Sequence, residues 1–407
     1  MTEERKELQW PPIGHETLPW HRDSDDFELI PKSARRRILP TYEAAVPLFI
    51  RDRDVALPAA LMGRIADVSA EMARFDAHQQ QRGYDLPALL LRSESAASSQ
   101  IEHLTSSVRN VALAEVSDDA PQNARLIAGN VVAMREALSS SDALDVEDIL
   151  AVHRVLIERG GYSFGGMLRD EPVWIGGTAY SPHGALYVPP KFELVPAYLD
   201  DMVAYAARSD VNSLVKAAVL HAQFETVHPF IDGNGRTGRA LLHKVLRHDS
   251  MLIHTTLPVS AGLLHNIDAY MTSISRYQEG DPVAVVEQLV DALELAMAIG
   301  TLVARDIDAV IGTWRERITE RAGSGIHRLP GLLVEQPVVN TAFVARKMDI
   351  TQRAASTMVS RACEYGMLRP MGNRHRGEYY QADALISVLE EVSSIQGIRR
   401  MVAGKAS

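Results

Sequence analysis

Between Leu57 and His78 the apolar residues Leu61, Ile65, Val68, Met72 and Phe75 advance by three and four, the spacing of one helix face. A turn at Gly83 closes this element. The same period predicts helices over Leu86–Arg109, Ala124–Leu138 and Val146–Glu158, the last two separated by a Ser139–Asp142 run that suits a loop leading to an N-cap. Further helices are predicted over Phe192–Ala207, Asn212–Thr226, Arg239–Arg247 and Ala261–Tyr277, and from Pro282 to Thr301 or beyond, with the turn QEGDP between the last two. Residues before about Arg53 are rich in Pro, Trp and charge without a sustained period, and read as an extended arm lying on the body, with room for a strand.

Two stretches depart from the helical texture. Gly160, Gly161, Gly165 and Gly166 precede Met167-Leu168-Arg169, after which PVWIGG and ALYVPP are short β-type runs around GGTAYSPHG, a hairpin with a long loop. A composition shift at Arg321–Gly331 reads as a linker. Beyond it, helical patterns at Thr341–Met348 and Thr351–Glu364 followed by MLRPMGNRHRGEYYQ follow the plan of a winged helix-turn-helix. The chain is therefore expected to be mainly α. It divides into an N-terminal arm and helical region (1–110), a helical core with the hairpin (111–320), a linker (321–331), a winged helix-like domain (332–395) and a tail (396–407).

Composition narrows the class. The 407 residues, 46% hydrophobic and 23% charged, suit two or three soluble domains, and a net charge of −10 argues against broad non-specific attraction to nucleic acid. The start, MTEERKELQW, lacks the apolar core of a signal peptide. Leu289–Ala304 is broken by Asp291 and Glu294 and reads as a buried helix, not a span. A cytoplasmic location without a membrane partner is expected. The sole cysteine, Cys363, forms no internal disulfide and reads as a small core residue.

The candidate chemistry lies in His228–Arg239, HPFIDGNGRTGR. Gly233, Asn234 and Gly235 open a helix, where unhindered N–H groups and the helix dipole bind anions. Arg236 and Arg239 add two planar donors suited to phosphate oxygens, so a polyphosphate is the natural ligand. Asp232 beside this site would repel phosphate unless a Mg²⁺ ion stood between them; the alternative makes it the helix N-cap. His228 at the mouth can take a proton from an incoming hydroxyl, against the commoner structural role of a lone histidine. The letters GNGRTG satisfy the dinucleotide pattern, but a helix precedes them and no acid follows at the ribose spacing; no P-loop sequence is present. His221 and Glu225 match no complete metal signature and are assigned to helix or core.

HPFIDGNGRTGR resembles, without gaps, the H-P-F-x-[D/E]-G-N-G-R-x-x-R motif of the Fic family. GGMLRDEPVWIGG and ALYVPP are similar to the family's flap hairpin, and SSQIEH to its inhibitory helix motif, a Ser or Thr followed four residues on by Glu. The likeness covers roughly Leu57–Val310, with a winged-helix tail of the kind some members carry.

The resemblance implies a Fic-type helical bundle with a β-hairpin flap. It also implies a protein adenylyltransferase that moves AMP from ATP to a Ser, Thr or Tyr hydroxyl of a target protein, or of the chain itself, releasing pyrophosphate. Carried over, His228 is the general base, Asp232 the ligand of Mg²⁺ (or Mn²⁺), and Gly233, Asn234 and Gly235 the anion hole. Arg236 holds the phosphates and Arg239 the γ-phosphate. Val173, Trp174, Ile175, Gly176, Leu186, Tyr187 and Val188 form the flap that docks the target by main-chain pairing. Tyr270 and Tyr277 are placed near the nucleotide, with a core or surface role as the alternative. Ser98 and Glu102 make the inhibitory pair, Glu102 occupying Arg239, although His103 stands where Gly or Asn usually follows.

Alternatives stay open: transfer of another group, removal of AMP with Glu102 positioning water, and a nucleotide-sensing DNA-binding regulator. In the last, Arg361, Arg369, Arg374, His375 and Arg376 would touch DNA phosphates. Self-association into a homodimer through the helical face or the wing is also open.

Overall fold

Sixteen α-helices fall among the residues that the computed structural model describes, which are 10–20, 31, 35–79, 82, 84–372 and 379–403. Helix α1 (Ala59–Gln79) buries Leu61, Ile65, Val68, Met72 and Phe75, the five positions its spacing predicts. Gly83 lies outside the described residues. Helix α2 (Leu86–Ile101) is shorter than predicted. His103 takes the left-handed conformation (φ 59°) and Leu104 N–H returns to Ser99 O at 2.9 Å, which ends the helix; α3 (Val108–Ala114) starts afresh on a Ser107 cap. Helix α4 (Gln122–Ala137) pairs with α5 (Val146–Glu158), whose N-terminus is a reciprocal capping box between Asp145 and Asp148.

A 3₁₀ turn at Phe192–Leu194 leads into α6 (Val195–Ala206), followed by α7 (Ser213–Val227), capped by Asn212, and α8 (Asn234–His248). Helices α7 and α8 are buried on nearly every side, so the HPFIDG loop between them is anchored at both ends in the core. The predicted helix Ala261–Tyr277 is two, α9 (Val259–His265) and α10 (Ile267–Gln278). Asn266 leaves the helical region (φ −132°) and its side chain caps Ala269 N–H at 3.2 Å. Helix α11 (Val283–Arg317), 35 residues long, buries a stripe from Ala284 to Trp314. No helix among the described residues is long and apolar enough to cross a membrane.

The arm carries two strands, β1 (Gly14–Pro19) and β2 (Thr41–Val46), paired antiparallel from Gly14 opposite Val46 to Pro19 opposite Thr41. It lies on the body: Ile50 N–H donates to Asp201 and Gln223 donates to Leu48 O. The predicted flap strands do not form a ladder. The segment is pinched at two isolated bridges, Ile175–Tyr187 and Thr178–Ser181, because Gly176 and Gly177 both turn at positive φ.

The linker prediction also gives way. Residues 325–328 form a 3₁₀ turn and α12 (Leu329–Glu335) follows at once, with Ile326, Leu329 and Leu333 buried. Then come β3 (Val338–Asn340), α13 (Thr341–Met348), α14 (Gln352–Glu364), β4 (Arg369–Pro370) and β5 (Tyr379–Gln381), the strands in antiparallel order β3-β5-β4. Helices α15 (Asp383–Val392) and α16 (Ile395–Ala403) close the chain, so the predicted tail begins as helix. Arg374, His375 and Arg376 lie outside the described residues. One connected apolar core runs from Ile50 through the central helices to Ile398, and Cys363 packs against it half-buried.

Candidate active site

His228 is the residue that turns the chain out of α7. It sits in the left-handed region (φ 51°, ψ 63°), its N–H held by Phe224 O at 2.9 Å. Its Nδ1 lies 3.3 Å from Glu225 O, a geometry that assigns the ring proton to Nδ1 and leaves Nε2 as an acceptor. Burial lowers its pKa to about 4, so the ring is neutral near pH 7.

Arg169, 3% exposed, fixes this turn: its Nε donates to His228 O at 2.8 Å, its Nη2 to Val227 O at 3.3 Å and to Pro190 O, and its backbone N–H to Pro229 O at 3.0 Å. Desolvation lowers even this guanidinium to about 10.

The next turn is closed by Asn234. Its Oδ1 accepts Phe230 N–H at 2.9 Å and its Nδ2 donates to Phe230 O at 2.8 Å. The side chain thus locks the loop, and what Asn234 can offer the predicted anion hole is its backbone N–H. Behind the loop, His153 stacks on Phe230 at 3.6 Å and 9°, accepts Gly166 N–H at Nδ1 (3.0 Å) and lies with Nε2 3.0 Å from Asp232 O. Burial lowers His153 to about 4, consistent with a neutral ring making both bonds.

Gly233 (φ 79°) is the N-cap of α8 and makes no side-chain cap bond, which removes the N-cap reading of Asp232. The Asp232 side chain is 61% exposed, with Oδ2 3.5 Å from Arg236 Nη2. Among the described residues no group of three or more His, Cys, Asp or Glu is arranged to hold a metal ion. One open carboxylate beside an anion cradle fits magnesium, which commonly takes one or two carboxylates and completes its shell with substrate phosphates and water.

The two arginines differ. Arg236 is 3% exposed, yet its Nε and Nη1 have no hydrogen-bond partner, and burial pulls its pKa below the usual value. Arg239 is equally buried but engaged: Nε donates to Ser98 Oγ at 2.8 Å, and Nη2 to Ser98 O at 2.8 Å and Glu102 Oε1 at 3.0 Å. Burial opposes ionisation of Glu102, but Arg239, with Arg236 and His228 behind it, holds its carboxyl below the ordinary range. Gly235 makes this contact fit, since a Cβ there would lie 1.9 Å from Glu102 Oε1.

Beneath Arg239, Glu225 Oε1 is 4.0 Å from Nη1, and burial pushes Glu225 up to about 7. Tyr270 hydroxyl meets His221 Nε2 at 2.9 Å.

Part of this set lines one cavity of about 470 Å³: Glu102, His228, Asp232, Gly233, Asn234, Gly235, Arg239 and Tyr270, with Trp174, Ile175, Leu186 and Tyr187 of the flap, whereas Arg236, His153 and Arg169 are not among its lining residues. Tyr277 is not among its lining residues; it is a core residue whose hydroxyl donates to Gln223 Oε1 at 2.8 Å. Of the other flap residues, Tyr187 roots the segment by donating to Thr226 O at 2.7 Å, and Val188 O accepts Ala45 N–H of β2 at 2.9 Å. Val173 and Gly176 do not reach the cavity. His153 and Arg169 were not singled out from the sequence. Their signal was available in an ionisable residue on the buried stripe Ile149, Val152, Leu156, and in a cation after a glycine run.

The Fic/DOC family model matches residues 143–246, from just before α5 to near the end of α8, a span that includes the whole His228–Arg239 stretch. Residues 143–246 are a Fic domain. The chain is 30% identical over 105 residues to protein adenylyltransferase fic-1 of Caenorhabditis elegans, an alignment covering 26% of this chain and 20% of that one. It is 33% identical over 111 residues to a probable protein adenylyltransferase of Aquifex aeolicus, covering 26% and 31%. The chain thus spans between a fifth and a third of these relatives' length. A Fic family protein from Desulfovibrio desulfuricans shares the fold, with a TM-score of 0.53 at 20% identity over 81% of this chain and 97% of that one. Ser98, Glu102 and Tyr270 lie outside the matched span, although they border the same cavity or its arginine.

Proposed function

We propose that this Fic domain transfers AMP from ATP to a Ser, Thr or Tyr hydroxyl of a protein, and that Glu102 restrains it. The observation that carries the reading is Arg236, a buried guanidinium with two unpaired donors beside an open helix N-terminus. A buried cation with free donors of this kind is stabilised by an anion, and a phosphate chain is the anion whose geometry suits it. The names of the relatives point to ATP.

In this mechanism the unprotonated Nε2 of His228 takes the acceptor proton as that oxygen bonds to the α-phosphorus. The bond from phosphorus to the bridging oxygen breaks, and pyrophosphate leaves with the electron pair. The backbone N–H groups of Asn234 and Gly235, with Arg236, hold the phosphate oxygens, and Arg239 takes the γ-phosphate once Glu102 leaves. Magnesium, when bound at Asp232, neutralises phosphate charge. The flap holds the target segment. Positioning and charge stabilisation supply most of the rate in such chemistry.

Mass spectrometry of the protein incubated with MgATP, wild type beside Glu102→Gly, tests this. AMP on a Ser, Thr or Tyr, more abundant in the variant, is expected; no adduct in either protein defeats the reading. A second reading, removal of AMP, is favoured by the Glu102 carboxylate lining the same cavity, where it can position water. Loss of AMP from a pre-modified protein with wild type but not with Glu102→Gly distinguishes it. We also assign α13, α14 and the sheet of β3, β5 and β4 to a winged helix-turn-helix.

A further inference from the structure

Helix α2 carries Ser98 in its last turn and Glu102 as its cap, and two buried polar clusters hold it along its length. The first faces the catalytic core. Glu94, fully buried, accepts Ser260 N–H of α9 at 2.7 Å and Ser260 Oγ, and lies 3.0 Å from His243 Nε2 of α8. This cluster ties α2 to the helix that carries Arg239, since His243 lies on it as well.

The second cluster faces the C-terminal region. Arg92, 4% exposed, donates Nε and Nη2 to the two oxygens of Glu115 at 2.6 and 2.9 Å, and Nη2 also to Gln336 Oε1 at 2.9 Å. Gln336, 2% exposed and the cap residue of α12, donates Nε2 to Ala112 O of α3 at 2.7 Å. Helices α12 and α15 both pack on α2. Arg92 is six residues, or about 9 Å of helix rise, from Ser98.

We propose that the C-terminal region sets how firmly Glu102 holds Arg239, through Gln336 and Arg92. Three acceptors, Ser98 Oγ, Ser98 O and Glu102 Oε1, must all meet one planar guanidinium, and hydrogen bonds tolerate only a few tenths of an ångström before they weaken. The axial position of α2 therefore decides whether the pairing is complete. The Glu94 cluster joins α2 to α8 and α9, with α9 packed in turn on α16; the Arg92 cluster joins α2 directly, through Gln336, to a region that does not line the cavity. An event that draws Gln336 away removes one hydrogen bond from Arg92 and the donor from Ala112 O, and frees α2 to shift. The inference rests on Glu102 being the restraining group.

The test is calorimetric titration of the full chain with MgATP in four proteins: wild type, Gln336→Met, Glu102→Gly and the double variant. Gln336→Met keeps the volume and removes both hydrogen bonds. ATP affinity should rise about three- to tenfold in Gln336→Met, the worth of a buried hydrogen bond, and should not rise further when Glu102→Gly is already present. Equal effects of Gln336→Met in both backgrounds, or none in the wild-type background, overturn the coupling. Unchanged affinity in Glu102→Gly alone overturns instead the restraint on which the coupling rests. Should Gln336→Met lose its cooperative thermal transition, Arg92→Lys replaces it, with the same dependence on Glu102 expected.

Discussion

Two walls meet at His228, the HPFIDGNG loop and the flap, and they are held in opposite ways. The loop is fixed from every side: by the reciprocal Phe230–Asn234 bonds, by His153 behind Phe230, by Arg169 on the carbonyls of Val227 and His228, and by a helix at each end. The flap has two isolated bridges, the Tyr187 hydroxyl on Thr226, and contacts from the arm at Val188, at His183 and edge-on between Trp20 and Trp174, while Leu186 stands 87% exposed over the cavity. The reaction at phosphorus proposed above depends on placement, since a misfit of about 1 Å can cost on the order of a hundredfold in rate. Holding a segment of variable sequence depends on main-chain pairing and side chains free to adjust. The protein spends its constraints on the first and leaves the second loose.

Breaking the comparison on the chemical side has the largest expected effect. His228→Ala should lower transfer from labelled ATP by about 10²- to 10⁴-fold, the worth of a general base, with ATP affinity by calorimetry little changed; a variant as active as wild type removes His228 from the mechanism. Asn234→Ala strands the Phe230 N–H and C=O, so thermal unfolding should show a loss of about 2–4 kcal/mol, together with loss of ATP binding. An unshifted transition would mean that the loop is no better fixed than the flap. Glu102→Gly should raise ATP affinity and labelling about tenfold, a charged hydrogen bond discounted for the exposed side of that carboxyl.

Acid sharpens the contrast. His153, His221 and His228 have pKa values lowered by burial to about 4, 3 and 4, below their unfolded value of 6.5. Between these limits the unfolded chain binds more protons, so the stability they contribute is complete above about pH 6.5 and falls as pH drops toward 4. Urea unfolding at pH 7.5 and 5 should register the loss, and replacing His153 by Gln should reduce the pH dependence. The smallest effect belongs to the flap. Leu186→Ala should change stability by less than about 0.5 kcal/mol while lowering modification of a protein target. A large shift in its melting temperature would place Leu186 in the folded core instead.

What could be read from the sequence follows the same division. The buried face of α1 was legible because a single period recorded it, and the turn into α8 at Gly233, proposed to cradle phosphate, because its letters are contiguous. The meeting of Glu102 with Arg239 was legible only through family likeness, as 137 residues separate them, and the bonds of Ser98 to the same arginine were not foreseen. Local competition misled the rest. Asn266 leaves the helical region and caps the next helix instead of continuing the last, and His103 ends α2 by turning left-handed where a periodic pattern ran on. Residues 321–331 look like a linker in composition, but Ile326 and Leu329 find a core that only the folded chain supplies. The side chain of Asn234 matched a motif position, yet its partners are main-chain atoms of Phe230, which no pattern of side chains records.

The missing methyl at Gly235 has a consequence for how such a protein can change over generations. A Cβ there would collide with Glu102 Oε1 at 1.9 Å and with Arg239 Nη1 at 2.8 Å. Any larger residue evicts Glu102, but it also crowds the arginine and the backbone cradle that the nucleotide is proposed to use. A lineage cannot abandon restraint by altering the cradle without damaging the reaction as well. Drift in the resting activity is therefore channelled away from the shared seat, into α2 and the residues that carry it.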